Sequence, residues 1–399
     1  MILGPITFID CIVFVILLAP QLIIHAGLYQ TVKYASRSLP FLVLYLPTEL
    51  FKSRYLTRPD QRPRFFQHAT VFQEVMIRTV KYAFSAIPPH VTRVFLSKGV
   101  ALPFTYFRMW RHGYLRSPVH WEEVRRKGLR GLWMIGKESA EPDIVIYYCH
   151  GGGFSMGSAY FYMEFLFTWL DMLKNAGYNN PAIFALEYSL VPDEVFPVQL
   201  EQTVRGYQFV LSRAQDDASR VCVAGDSAGG TLILSFLLYC SSQEGGQGKL
   251  KLEKPGLAVV LSPWVTLVSS KNIDTASDYL TIDRLHSYAK QYAGISASVH
   301  EPLLSPGRCE DLEWWKRASP RGGFVCVYGS EEVFQPEIRH WLETVRRAGS
   351  ECDEMEEKGG VHVWPVIALF VGESQGERVR GLREIVRRMR GRMMPREKL

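Results

Sequence analysis

The sequence lacks the features that mark several classes of protein. Its seven cysteines are odd in number and widely spaced, so they form neither a metal-ligand pattern nor a disulfide framework, and we expect free thiols. No zinc-finger spacing and no aromatic–basic platform accompanies the net charge of +6, so no nucleic-acid partner is expected. Internal repeats and low-complexity segments are also absent. The remaining composition, 47% apolar and 22% charged, is that of a packed globular protein.

One long apolar run lies near the N-terminus, at residues 6–24. It is about the length needed to cross a bilayer core, although Asp10, Pro20 and Gln21 interrupt it. No Lys or Arg precedes the run and no clean small-residue cleavage site follows it, which argues against a cleaved signal peptide. We therefore expect an uncleaved membrane anchor. The alternative is a hydrophobic helix that docks on the globular body.

The charges that follow this run bear on its orientation. Seven Lys and Arg residues lie between positions 33 and 64, which by the positive-inside rule predicts a cytoplasmic body. The absence of any Asn-x-Ser/Thr sequon agrees with that side. A second apolar stretch, residues 39–46, is too short to span a bilayer, so we expect it to lie in the interface or to pack on the globular domain.

The pattern of the chain changes near residue 132. Before it, helical patterns dominate, for example at 71–87; after it, short apolar runs alternate with amphipathic ones. The apolar runs are 132–136, 144–149, 182–187, 221–225, 257–262 and 324–329. Such runs predict an α/β fold with a mostly parallel central sheet and helices on both faces. We predict an N-terminal membrane-anchor region at 1–50, a helical cap or connector at 51–130 and a catalytic domain at 131–399, with residues 270–320 as lid or pocket material.

The first chemical motif surrounds Ser227. The segment GDSAGG at 225–230 follows an apolar run and precedes a helical pattern, which is the context of a G-x-S-x-G nucleophile elbow. The serine of such a turn has a strained backbone, and the residues two before and two after it, Gly225 and Gly229, must be small for strand and helix to approach. The sequence therefore predicts Ser227 as a nucleophile.

A second motif, His150-Gly-Gly-Gly-Phe154, follows the run at 144–149 and precedes the elbow by 75 residues. A glycine turn at a strand end can direct several N–H groups into one concavity, as a tetrahedral oxyanion requires. We assign Gly151, Gly152, Gly153 and Ala228 to the oxyanion hole. The N–H groups of the last three are expected to hold the oxyanion, and Gly151 is expected to make the turn.

A nucleophilic serine needs a base and an orienting acid, in the chain order Ser, Asp/Glu, His. Four histidines follow Ser227, at positions 286, 300, 340 and 362. His362 is favoured as the base because it follows a glycine turn after the last core strand. Glu331 and Glu332 both follow the run at 324–329, and because adjacent residues point in different directions, we expect only one of them to reach His362. We favour Glu332, for a reason that comes from the resemblance described next.

These residues resemble the hormone-sensitive lipase family of α/β-hydrolases over residues 130–375. Besides the two glycine motifs, the similar segments are Tyr188–Asp193, Phe196-Pro197, Ser262–Trp264 and Glu301–Pro306. The resemblance implies an α/β-hydrolase fold and places the catalytic acid at Glu332, where a Glu replaces the family's commoner Asp, with Glu337 as a later acid.

The membrane-anchored arrangement resembles fungal steryl acetyl hydrolases and, more distantly, arylacetamide deacetylases. This resemblance implies a serine esterase that cleaves short acyl esters of apolar alcohols, sterols among them, without a metal or organic cofactor. It also implies a lumenal catalytic domain at the endoplasmic reticulum, which conflicts with the side that the charges predict. An amidase or deacetylase on the same triad and a non-catalytic ligand receptor on the same fold are the alternatives.

Overall fold

The computed structural model describes residues 2–242 and 252–394, and its centre is an eight-stranded sheet. The strands are β1 His120–Arg126, β2 Leu129–Ile135, β3 Ile144–Cys149, β4 Pro181–Leu186, β5 Val221–Asp226, β6 Leu257–Leu261, β7 Phe324–Gly329 and β8 Cys352–Glu357. Their order across the sheet is β1-β2-β4-β3-β5-β6-β7-β8. The β1–β2 and β2–β4 pairs are antiparallel and the other five pairs are parallel, which confirms the predicted mostly parallel sheet.

Helices cover both faces of the sheet and form a separate N-terminal region. The N-terminal helices are α1 Phe8–Ala26, α2 Leu28–Pro40, α3 Leu46–Phe51, α4 Arg64–His68, α5 Val71–Ala86, α6 Pro89–Phe95 and α7 Lys98–Arg111. The later helices are α8 Met163–Asn175, α9 Val198–Arg213, α10 Ala228–Ser242, α11 Ile282–Ala293, α12 Leu312–Ala318, α13 Gln335–Arg347, α14 Trp364–Val371 and α15 Gln375–Met393. Two short π-helices, Phe41–Tyr45 and Lys52–Leu56, flank α3.

The central strands are apolar because both of their sides are buried. Along β3, Val145 and Tyr147 point into one hydrophobic cluster, and Ile144, Ile146 and Tyr148 point into the other. This alternation is the two-residue period of a strand with helices on both faces. The six predicted apolar runs all fall on strands β2 to β7.

The edge strand β1 was not predicted. Its sequence, HWEEVRR, is mostly charged, and only Val124 is buried. An edge strand with one solvated face does not need an apolar run. The sheet therefore begins at His120, inside the segment 51–130 that the sequence predicts as a connector; the domain limits themselves stay predictions.

The N-terminal apolar run forms helix α1, which is the one helix in the described part of the chain long and apolar enough to cross a membrane. Asp10, which interrupts the run, accepts a hydrogen bond from the N–H of Thr7 at 2.7 Å and so caps the start of the helix. The second apolar stretch lies in the π-helix Phe41–Tyr45, where Leu42 and Val43 are exposed. All seven cysteines are free thiols, as expected.

Candidate active site

Ser227 occupies the turn between β5 and α10. Its φ of 51° is one that non-glycine residues rarely adopt, as the strained turn of the prediction requires. The N–H of Ser227 donates to the carbonyl of Leu261 at 3.0 Å, and its carbonyl accepts from the N–H of Trp264 at 3.1 Å. The strained serine is therefore held by the end of β6, at the N-terminus of a helix whose dipole favours negative charge.

Positions 225 and 229 require glycine because the strand and the helix touch at this turn. A Cβ at Gly225 would lie 2.5 Å from the carbonyl oxygen of Gly229, and a Cβ at Gly229 would lie 2.0 Å from the carbonyl oxygen of Cys149. Side-chain carbons do not approach backbone oxygens so closely. The prediction that bulk is excluded on both sides of the serine is confirmed.

The glycine loop after β3 lies beside the serine. Gly152 and Gly153 have φ values of 115° and 59°, which glycine adopts without cost. Within residues 2–242 and 252–394, the N–H groups of Gly152, Gly153 and Ala228 donate no hydrogen bond. The N–H of Gly151 instead donates to Asp226 Oδ1 at 2.8 Å. Three N–H groups without a partner therefore lie in the glycine loop and directly after the serine, and Gly151 is tied to the elbow through Asp226.

Asp226, the residue before the nucleophile, holds this loop in place. Its two carboxylate oxygens accept hydrogen bonds from the hydroxyls of Tyr148 and Tyr162, both at 2.6 Å, in addition to the N–H of Gly151. Burial raises the pKa of Asp226 to about 6, while these hydrogen bonds favour its charged form. The carboxylate fixes the distance between the glycine loop and the elbow.

His150 is a structural member of the loop. Its ring stacks on Tyr188 with 4.4 Å between ring centroids, and its Nδ1 lies 2.7 Å from the carbonyl oxygen of Gly151. Burial lowers the pKa of His150 to about 4, so the ring is neutral at pH 7. The hydroxyl of Tyr188 also donates to the carbonyl of His150 at 2.9 Å, and these contacts orient the glycines that follow.

His362 lies between β8 and α14, with Nδ1 4.0 Å from Glu332 Oε2. Both side chains are buried, and His362 Nδ1 and Glu332 Oε1 have no hydrogen-bond partner in the described part of the chain. Catalytic hydrogen bonds are often long in unliganded enzymes and shorten when substrate binds.

The electrostatics of this pair follow from burial. Burial lowers the pKa of His362 to about 3 and raises the pKa of Glu332 well above its usual value. The imidazole is therefore neutral at pH 7, which is the form that can accept a proton from a serine.

The competing residues of the sequence analysis lie elsewhere. The carboxylate of Glu331 points towards Arg64, 3.7 Å away, and is partly exposed. Of the other histidines, His286 lies in α11, His300 in the turn after it and His340 in α13. Of the two acids and four histidines that the sequence analysis considers, Glu332 and His362 are the pair that the structure brings within 4.0 Å of each other.

Ser262, the residue directly after β6, connects the acid with the histidine loop. Its hydroxyl donates to Glu332 Oε2 at 2.5 Å and accepts from the N–H of Val363 at 2.8 Å. Because Ser262 follows Leu261, which holds Ser227, the nucleophile and the histidine both attach to the end of β6. Sequence reasoning noted Ser262 as part of a similar segment but gave it no role.

Asp278, from the insertion at 270–320, makes a second link. It is buried, and its carboxylate accepts from the N–H of His362 at 3.2 Å and from the N–H of Val333 at 3.0 Å. One carboxylate thus fixes both the residue after Glu332 and the histidine itself. Burial raises the pKa of Asp278 to about 6. Nothing in its local sequence, SDYLT, marks it, so sequence reasoning missed it.

The same insertion covers the glycine loop. Tyr292 of α11 stacks on Phe154 with 3.7 Å between ring centroids, and a Cβ at Gly153 would lie 2.7 Å from the ring of Tyr288. The insertion also contacts helix α5, where the ammonium of Lys81 donates to the carbonyl of Asp278 at 2.9 Å. The site is therefore closed by aromatic side chains, and Ser227 is only 6% exposed.

Comparison with known proteins identifies the family. Residues 146–366, more than half of the chain, match the family described as alpha/beta hydrolase fold. The steryl acetyl hydrolase homologue mug81 of Schizosaccharomyces pombe is 28% identical over 245 residues, which are 58% of this chain and 61% of that protein. Arylacetamide deacetylase-like 2 of Homo sapiens is 28% identical over 201 residues, 46% of this chain and 48% of that protein. The chain thus spans less than two thirds of the length of either relative.

Solved structures share the fold. An esterase from the bacterial hormone-sensitive lipase family superposes with a TM-score of 0.62 at 22% identity, covering 82% of this chain and 99% of that one. Carboxyl esterase 2 of Tuber melanosporum superposes with a TM-score of 0.56 at 20% identity, covering 71% and 90%. The predicted fold class is confirmed: the chain belongs to the α/β-hydrolase fold family, and it is similar to the hormone-sensitive lipase group within it.

Proposed function

We propose that the chain is a serine carboxylic-ester hydrolase that forms an acyl-enzyme on Ser227. The observation that carries this proposal is a serine at positive φ beside the free N–H groups of Gly152, Gly153 and Ala228. Strained backbone and unpaired buried donors both cost stability, and they persist where a reaction uses them. A buried acid–histidine pair at the same end of the sheet supplies the base.

The proposed reaction has two steps. His362 takes the proton of the Ser227 hydroxyl, and Oγ attacks the ester carbonyl carbon to give a tetrahedral oxyanion held by the three N–H groups. The oxyanion collapses, the bond to the alcohol oxygen breaks, and His362 returns the proton to the leaving alcohol. A water molecule, deprotonated by His362, then releases the carboxylic acid and regenerates the serine.

Glu332 is assigned the orienting role. Paired with Nδ1 of His362, its carboxylate would stabilise the imidazolium that forms in each step. The hydroxyl of Ser262 already donates to Oε2 of Glu332 and so favours the charged form of the acid. Glu337 does not take this role, because Thr266 and Ser269 both donate to it.

We propose short acyl esters of apolar alcohols as the substrates, with acetyl esters of sterols as the leading example. The stacked pair Phe154–Tyr292 and the neighbouring Trp264 give the closed site an apolar wall. The name of the S. pombe relative points to steryl acetates. An aromatic, water-poor wall favours a hydrophobic alcohol over a charged or sugar-like one.

A second candidate is an amidase or deacetylase that uses the same three residues. The name of the human relative, an arylacetamide deacetylase-like protein, favours this alternative. Competing hydrolysis of an arylacetamide and of the matching aryl acetate would separate the two, since the better substrate by kcat/KM identifies the reaction. The presence of Ser227, Glu332 and His362 in the chain order of a catalytic triad argues against a non-catalytic receptor.

The decisive experiment is labelling of the full chain with a fluorophosphonate probe, which reacts only with an activated serine. Ser227→Ala is expected to abolish labelling, whereas Ser212→Ala, at an exposed serine of α9, leaves it unchanged. Equal labelling of wild type and Ser227→Ala, with both folded by circular dichroism, would refute the nucleophile assignment. Steryl acetate turnover then tests the substrate class.

We also propose that the chain is bound to a membrane through residues 1–50. The apolar helix α1 supports membrane association, and the resemblance to arylacetamide deacetylases favours the endoplasmic reticulum. Fractionation of cells that express the full chain tests both points. Recovery with endoplasmic-reticulum membranes supports the proposal, and recovery in the cytosolic supernatant contradicts it.

A further inference from the structure

Helix α1 packs lengthwise on the globular body. Asp10, Phe14, Leu18 and Leu22 recur at every fourth position and so form one stripe along the helix. Leu18 packs in a hydrophobic cluster with residues of α6 and α7, and Phe14 and Leu22 pack against the same cluster. The ring of Phe14 also makes an edge contact with that of Phe104, with centroids 5.4 Å apart. The axis of α1 therefore runs along the surface of the body.

The beginning of α1 is fixed by buried charges. The carboxylate of Asp10, which is not exposed at all, lies 3.4 Å from the guanidinium of Arg108 and 3.2 Å from that of Arg111. Arg108 in turn makes two hydrogen bonds of 2.9 Å to Glu164 of α8. Pulling α1 away from the body would separate the Asp10 carboxylate from both guanidinium groups, and breaking a buried ion pair in this way is unfavourable.

The neighbours of α1 carry charges that a bilayer core excludes. Arg93 of α6 pairs with Asp193 at 2.7 Å, and Lys98 of α7 pairs with Glu123; each pair is partly exposed. If α1 crossed a bilayer, these helices would enter the hydrocarbon beside it and take the charges with them. Charged side chains at that depth are costly. The packing of α1 is therefore incompatible with a membrane crossing.

The opposite side of α1 is exposed and apolar, and the next elements, which contact one another in series, extend this exposed apolar surface. We call this surface the apolar face; its members are Phe8, Ile9, Ile12, Val15, Ile16, Ile23, Ile24, Leu28, Tyr29, Val32, Leu39, Leu42, Val43, Leu44, Tyr45, Phe51, Tyr55 and Leu56. An exposed apolar surface formed by so many residues marks an interaction site. The elements that carry it are in contact in series, α1 with α2 and α2 with the π-helix Phe41–Tyr45.

Charge identifies the partner. Lys33, Arg37, Lys52 and Arg58 lie among the residues of the apolar face, and in the described part of the chain none of them lies within 4.0 Å of a carboxylate. The one acid between positions 11 and 59, Glu49, is paired with Arg78 at 3.6 Å. Apolar and aromatic residues beside basic side chains that have no carboxylate partner match the interface of an anionic phospholipid leaflet.

We infer that the apolar face docks the protein onto one leaflet of an anionic phospholipid bilayer, with α1 lying in the plane of the interface instead of spanning the membrane. The protein is then monotopic, and both ends of α1 stay on the side of the catalytic body. The inference rests on the proposed membrane association of residues 1–50 and is independent of the proposed ester chemistry.

Depth measurement tests the inference. The environment-sensitive dye NBD is attached to Ile16→Cys and Val43→Cys in the full chain, with the labelled unsubstituted chain as background, and mixed with vesicles of phosphatidylcholine and phosphatidylserine at 4:1. An in-plane helix places both dyes about 5–10 Å below the headgroups, so lipids with a doxyl group at carbon 5 quench more than those at carbon 14. Stronger quenching of the Ile16→Cys dye by the carbon-14 lipid would contradict in-plane docking. If neither dye is quenched by either lipid, both the docking inference and the proposed membrane association are wrong.

Charge substitution gives an independent measurement. Ile16→Asp combined with Val43→Asp is expected to lower vesicle flotation by about tenfold or more, because two apolar contacts are replaced by charges. Ile295→Asp, at a fully exposed position outside the apolar face, serves as the matched control and leaves flotation unchanged. A far-ultraviolet circular dichroism spectrum and a thermal unfolding midpoint equal to those of the wild type show that the double variant is folded. Unchanged flotation of a folded double variant contradicts the inference, whatever the outcome for the esterase.

Discussion

The two halves of the candidate site are held in place by different means. The nucleophile half, Ser227 with the glycine loop, is fixed by main-chain conformation and by contacts that leave no space for a Cβ at Gly225 or Gly229. In the base half, Glu332 accepts a hydrogen bond from the hydroxyl of Ser262, and the N–H of His362 donates to the carboxylate of Asp278. The first half depends on adjacent residues of the chain, and the second on contacts between distant segments.

This difference implies different responses to substitution. Backbone geometry that only glycine permits fails abruptly when a side chain is added, because neither the strand nor the helix can move away. A histidine held by several hydrogen bonds loses its orientation gradually, since each bond contributes about 0.5–1.5 kcal/mol. We therefore expect an added side chain in the nucleophile half to reduce activity abruptly. In the base half we expect a large loss when the acid itself is replaced and a smaller loss when a residue that positions the histidine is replaced.

The largest effect is expected for Ser227→Ala. Removal of the nucleophile should lower kcat for p-nitrophenyl acetate by about 10⁴-fold or more, leaving the residual catalysis of the N–H groups and substrate binding. The substitution also relieves no strain, because alanine at φ 51° is as unfavourable as serine. Steady-state kinetics measure the loss, and a decrease below about 100-fold would remove Ser227 from the reaction.

The next largest loss of activity is expected for Glu332→Gln. The amide cannot stabilise an imidazolium as a carboxylate does, and kcat should fall by about 10³–10⁴-fold with little change in KM. Glu331→Gln is the matched control; its carboxylate points towards Arg64, and kcat should change by no more than about twofold. The reverse result, with Glu331→Gln the more damaging, would show that the acid was assigned to the wrong neighbour.

Gly151→Ala tests how rigid the nucleophile half is. The added methyl group would lie 2.2 Å from Asp226 Oδ2, and this carboxylate cannot move without breaking its bonds to two tyrosines. We expect the glycine loop to shift, kcat to fall by about 100-fold and unfolding free energy to fall by about 1–3 kcal/mol. Gly391→Ala, in α15 with open space around it, should leave kcat unchanged. Wild-type kcat for Gly151→Ala would mean that the loop tolerates displacement.

The same difference explains how much could be predicted from the sequence. Apolar runs gave strands β2 to β7, and two contiguous glycine motifs located the nucleophile and its loop, because such local geometry requires particular residues at fixed spacing. The charged edge strand β1 was missed because a solvated strand leaves no apolar run. Asp10, which interrupted a predicted membrane anchor, has its role in an ion pair with Arg108, almost 100 residues away.

Long-range side-chain contacts were beyond sequence reasoning. The chain order of serine, acid and histidine indicated His362 as the base and left two neighbouring acids. Which of the two side chains points towards His362 depends on how the turn after β7 packs. Ser262 and Asp278 lie in different segments and meet the site only through the fold. For Asp226, a signal was available in the motif itself, since the position before the nucleophile is buried against the glycine loop.

Asp278→Asn should give the smallest effect on activity and the clearest dependence on pH. Asn cannot accept hydrogen bonds at both positions as the carboxylate does, so the N–H of His362 or of Val333 loses its partner and kcat should fall about tenfold.

The folded pKa of Asp278, about 6, lies above its ordinary value of 3.8, so the folded state binds the proton more tightly than the unfolded state. Its contribution to stability is therefore fully present below about pH 4 and is lost as pH rises through about 6, a change of about 2–3 kcal/mol. Between pH 4 and pH 8, urea unfolding of Asp278→Asn should show a loss of stability smaller by about 2–3 kcal/mol than that of wild type and of Asp274→Asn, an exposed aspartate of the same insertion, because other buried acids such as Asp226 titrate in all three proteins. If all three proteins lose stability equally between the two pH values, Asp278 is not the buried link between the acid and histidine loops.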